Sequence, residues 1–162
     1  MDIQACELFS TRLLRKPSSD AEPLVQLVVQ LVKAGADSDP LLDVGKPIKG
    51  AYLETQFRVS GIGYLLFLTD DVPFEETLRV YLLDEQCALL DGLEFAGNLA
   101  TGNLEGVRIV DTSTIEFSFI HLYPCRVRVH AHQKWRTPLI FTPGVSRWGR
   151  IQKRYLELTF VK

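Results

Sequence analysis

Cysteine is scarce in this chain, with Cys6, Cys87 and Cys125 the only three among 162 residues. An odd number of thiols so far apart is no disulfide framework and points to a reducing compartment. Long apolar runs are also lacking. The most apolar stretches, residues 24–32 and 64–68, fall far short of the roughly 20 residues that cross a bilayer as a helix. Asp2 puts an acid where a signal peptide carries positive charge. The expectation is a cytoplasmic protein without membrane contact.

Recognisable catalytic and cofactor signatures are missing too. The loop at residues 97–106 uses Gly-Asn-Leu twice but has no lysine where a phosphate-cradling loop needs one. Gly144-Val145-Ser146-Arg147-Trp148 ends in tryptophan where a nucleophile elbow requires glycine. Asp37, Asp39 and Asp43 are interrupted by Pro40 and lack the glycine of a calcium loop. Cys87 and Cys125 lie in apolar patterns and read as core thiols. No catalytic residue, cofactor or metal is assigned.

The chain does contain a core and a divided charge. It is 46% hydrophobic and 23% charged, ordinary values for a globular protein whose length suits one domain. The net charge of −2 conceals an asymmetry. Residues 1–105 hold 8 Lys and Arg against 17 Asp and Glu, whereas residues 106–162 hold 10 against 3. Such a division suggests a charged partner, or basic strands lying beside acidic ones in one sheet.

Periodicity gives the fold class. Residues 3–14 fit either a short helix or a strand. Ser18-Ser19-Asp20-Ala21-Glu22-Pro23 has the punctuation of a helix start, and Gly35 that of a stop. A buried helix is therefore expected over residues 24–33, with a strand as competitor because Val28, Val29 and Val32 are β-branched. Residues 36–50 read as a turn-rich linker. From Ala51 onward the period is two. Strands are expected near 53–59, 64–69, 77–82, 88–90, 107–111, 114–123, 125–133, 138–142 and 153–161. The expected fold is mainly β: an antiparallel sandwich or partly open barrel of about 7–9 strands with an N-terminal helical element. Residues 1–50 would form that element and linker, packed on the core of a β body at 51–162.

One strand concentrates chemistry. Arg126, Arg128, His130 and His132 alternate with Cys125, Val127, Val129 and Ala131, so the four polar residues form a ridge with neighbours roughly 6.5–7 Å apart. Lys134, Trp135 and Arg136 continue it. If the preceding hairpin aligns its polar faces, Glu116 opposes His130 and Ser118 opposes Arg128. The ridge suits carboxylate or phosphate through its guanidinium forks, and the histidines add charge when protonated. Its alternative is a solvated sheet face whose arginines pair with Glu116 and the acidic strands. A metal site built on His130 and His132 would need further ligands, and His121 and Cys125 fall on the opposite face. A second candidate surface is acidic: Asp70, Asp71, Glu75, Glu76, Asp84 and Glu85.

The leading expectation is a non-enzymatic interaction domain, of the kind seen in inhibitors and immunity proteins, meeting a protein partner through one of these surfaces. Two alternatives are a small-ligand or anion-binding protein or enzyme with a His/Arg-lined pocket, and a single-stranded nucleic-acid binder. The acidic balance makes nucleic acid the weakest of these partners.

Overall fold

The computed structural model describes residues 1–18, 21–30, 41–70, 76–96, 103–119, 124–136, 144–146 and 152–161. Thirteen strands fall within them: β1 (Ile3–Ala5), β2 (Phe9–Arg15), β3 (Leu24–Gln30), β4 (Leu41–Lys49), β5 (Tyr52–Val59), β6 (Gly63–Thr69), β7 (Thr77–Asp84), β8 (Leu89–Ala96), β9 (Glu105–Asp111), β10 (Thr114–Ser118), β11 (Cys125–Arg136), β12 (Val145–Ser146) and β13 (Gln152–Phe160). They form three antiparallel sheets, ordered β1-β5-β6-β7-β8-β12, β13-β11-β10-β9 and β2-β3-β4. Among the described residues no helix is long and apolar enough to cross a membrane.

Strand count and the N-terminal region both differ from the sequence expectation. The expected helix over 24–33 is strand β3 through Gln30, and the supposed linker is strand β4 from Leu41. The cause is double coverage. Val25, Gln26, Leu27 and Val28 are all buried, and a short apolar run buried on both sides has no period that separates a strand from a helix. The open choice at residues 3–14 resolves into β1, which joins the edge of the six-stranded sheet at β5, and β2, which pairs with β3. The strand expected at 138–142 lies outside the described residues.

Two cores follow from the alternation of β6 and β7. Leu65, Phe67, Leu78, Val80 and Leu82 face the four-stranded sheet and pack with Ile115, Phe117, Cys125, Val127, Val129 and Leu156. Phe117 stands edge-on to Phe67 and Phe95, with centroids 5.2 and 5.4 Å apart; each such pair adds about 0.5–1.5 kcal/mol beyond its buried area. The opposite side chains, Leu66, Leu68, Tyr81 and Leu83, pack with Phe9, Val25, Leu27 and Ile48 of the three-stranded sheet. The six-stranded sheet is therefore covered on both faces.

Candidate functional site

The polar face of β9-β10-β11-β13 is a lattice of compensated charge. Cys125, Val127 and Val129 are buried while Arg126 and Arg128 point outward, as alternation required. The register differs: Glu116 opposes Arg126 and Thr114 opposes Arg128, rather than Glu116 opposing His130 and Ser118 opposing Arg128. The polar faces coincide in both alignments, because a slip by an even number of residues preserves facing. Glu116 therefore accepts from two arginines, with Oε1 2.9 Å from Arg108 Nε and Oε2 2.7 Å from Arg126 Nε. The Arg108 and Arg126 bonds hold its carboxyl below the usual range. Arg128 donates to Thr114 Oγ1 at 3.2 Å and lies 3.6 Å from Asp111. His130 Nε2 is 2.7 Å from Glu157 Oε2. Of the sequence-selected ridge, Arg126, Arg128 and His130 each have an acid alongside.

The ridge does not continue straight. The ladder between β11 and β13 shifts between Val129↔Leu156 and Lys134↔Arg154, so β11 carries three extra residues there. A bulge of this kind bends a strand and re-aims its side chains. His132 lies within it. Residues 131–135, within and just past it, are all exposed. Trp135 is 70% exposed, with Lys153 Nζ 5.9 Å from its ring centroid. Among the described residues no carboxylate pairs with Lys134 or Lys153. Arg136 ends the strand, opposite Gln152.

Of the acidic candidates the structure describes, Asp70 and Glu76 lie at one end of the β6–β7 hairpin and Asp84 and Glu85 at the other. Asp71 and Glu75 lie outside the described residues. Asp70 is 4% exposed and pairs with Arg79, which is itself 1% exposed. Burial pushes the Asp70 carboxyl up to about 6, against the pull of Arg79. Glu76 accepts the Asp70 N–H at 2.9 Å. Asp84 closes the β7–β8 turn, accepting from the N–H groups of Gln86 and Ala88 at 2.9 and 2.8 Å. Glu85, in that turn, is exposed.

Two buried ion networks went unread in the sequence. Arg79 meets Asp70, Glu22 (2.9 Å) and Glu94 (3.1 Å), and Glu22 also meets Lys49. This network stitches β7 to the segment entering β3. Asp91, with its side chain fully buried, meets Arg154 at 3.2 Å and accepts the N–H groups of Tyr155 and Leu156 at 2.9 and 2.8 Å. It ties β8 to β13 across the two larger sheets. A charge inside an otherwise apolar run, as in Leu-Arg79-Val-Tyr or Leu-Leu-Asp91-Gly-Leu, is the signal for both, since an ion inside a protein needs a partner.

Among the described residues no group of three or more His, Cys, Asp or Glu is placed to hold a metal ion; His121 lies outside them. Cys125 is buried, and burial pushes its thiol up to about 11. Comparison of the chain with protein-family models, curated proteins and solved structures finds no match.

Proposed function

We propose that this chain is a non-enzymatic protein-binding domain that docks an acidic partner through the end of β11. The observation that carries this reading is Trp135, exposed over most of its surface and bracketed by Lys134 and Arg136 in sequence and by Lys153 in space. Large exposed aromatics beside basic groups match the residue types that dominate binding energy at interfaces. Lysines without an acidic partner among the described residues favour an acidic surface and speed its approach. The body behind this end reads as an antiparallel β-sandwich in which the six-stranded sheet contributes to two cores. Such a scaffold holds β11 rigid through its anchoring to β13.

The test is capture of partners from the protein's own source by the immobilised chain, at low and at high salt, with W135A and K134E in parallel. A partner held by the wild type at low salt, released by salt and lost with either variant supports the reading. A captured set unchanged by both variants overturns it. Displacement of that partner by a single-stranded oligonucleotide, rather than by polyglutamate, would move the assignment to nucleic acid.

A further inference from the structure

A recess lies away from β11, between the three-stranded sheet and the β7–β8 turn. A cleft of about 460 Å³ opens there, lined by Lys46, Pro47, Ile48, Leu83, Cys87 and Leu89 among others. Its volume falls in the range of small-molecule sites, about 300–1,000 Å³.

The cleft exists because β4 is bulged. Val25 and Leu27 of β3 pair with Ile48 and Val44, so three residues, Gly45, Lys46 and Pro47, stand opposite Gln26 alone. Gln26, 6% exposed, fixes this bulge by donating from Nε2 to the Val44 carbonyl at 2.8 Å. Gly45 has φ +66, and a Cβ there would sit 2.5 Å from the Cys87 carbonyl oxygen. Glycine is thus required both for its backbone angle and for the close approach of the β7–β8 turn. The far wall is equally fixed. Cys87 has φ +62, and Asp84 holds the turn through the N–H groups of Gln86 and Ala88.

Chemistry selects the occupant. The walls given by Pro47, Ile48, Leu83 and Leu89 are apolar, and Leu89 is left 50% exposed. Among the described residues Lys46 is the one charged member of the lining, and no described acid pairs with it. Asp84, the acid that bears on the Cys87 thiol, already accepts two backbone N–H groups. Among the described residues β4 is an edge strand, and Pro47 and the bulge interrupt that edge, which disfavours an added peptide strand. We propose that the cleft binds a small amphipathic carboxylate, its apolar body against Ile48, Leu83 and Leu89 and its head group on Lys46.

The half-buried Cys87 thiol reports occupancy. In a C6S background the remaining thiol, Cys125, is fully buried, so alkylation by N-ethylmaleimide at mildly alkaline pH follows Cys87. Dodecanoate below its micelle threshold is expected to slow that alkylation about tenfold once it exceeds its Kd about tenfold. Dodecyltrimethylammonium, with the same tail and the opposite head, is expected to protect far less. K46E should reverse that order, and A88W, which fills the mouth, should remove protection by both; circular dichroism confirms that each variant is folded. Protection that is absent in the wild type, or equal for both heads and indifferent to K46E, overturns the proposal. Protection by a hydrophobic peptide but not by dodecanoate also overturns it, in favour of strand addition at β4.

Discussion

The two halves of β11 share one strand, one neighbour in β13 and a similar density of basic residues, yet they differ in how charge is answered. From Arg126 to His130 each basic side chain has an acid within reach: Glu116, Asp111 or Glu157. Beyond the bulge, Lys134 and Lys153 have none among the described residues, and Trp135 stands exposed between them. The first half makes the sheet neutral where strands lie side by side. In the second, among the described residues, the positive charge has no acid beside it and the aromatic face is exposed. Basic composition alone therefore does not mark a site.

The severest way to break this comparison is to remove what holds β13 under both halves. D91A removes the buried carboxylate that accepts from Arg154 and from the N–H groups of Tyr155 and Leu156. A loss of about 3–5 kcal/mol is expected, read as a lower urea midpoint, with both halves of β11 disordered together in hydrogen exchange. A smaller effect comes from Asp70, remote from β11. Its carboxyl is raised from an ordinary 3.8 to about 6, so the folded state binds the proton more tightly than the unfolded chain. That contribution to stability is complete below about pH 3.8 and is lost as pH rises through about 6. The wild type should therefore lose stability over this interval relative to D70N, measured as the difference between their denaturation midpoints at each pH. Glu22, lowered chiefly by its bond to Lys49, acts in the opposite sense in more acidic solution.

Subtler still is E116Q, which weakens the pairing of Arg108 and Arg126 without changing shape. It should make the first half resemble the second, read as stronger retention on a cation exchanger. Smallest is the effect of W135A on the fold itself, a change within about 0.5 kcal/mol, since an exposed ring on a strand end packs on little. A large loss of stability in W135A would mean that the ring is structural.

How legible these features were depended on what covers each strand. β11 was readable because one face meets a core and the other meets solvent, so Cys125, Val127 and Val129 alternate cleanly with Arg126 and Arg128. Its pairing was not, since any even shift keeps polar faces together and only the hairpin connection selects Glu116↔Arg126. Likewise the bulge after Val129 leaves no mark in a pattern that continues Val-His-Ala-His. The burial of Arg79 depends on strands that the sequence pattern does not reveal. A helix over residues 24–33 and a linker over 36–50 leave no sheet to cover the second face of β7. Once β3 and β4 cover that face, the same alternation places Arg79 among Asp70, Glu22 and Glu94.

Quenching of Trp135 fluorescence tests most directly whether the end of β11 carries unanswered positive charge. In a W148F background the remaining tryptophan is Trp135. At low ionic strength, iodide should quench it more strongly than a local neutral potential allows, and caesium less. Both departures should shrink as salt screens the lysines and reverse in the K134E/K153E double variant. Quenching by iodide and caesium that ignores both salt and charge reversal would contradict the account, leaving the two halves of β11 electrostatically alike.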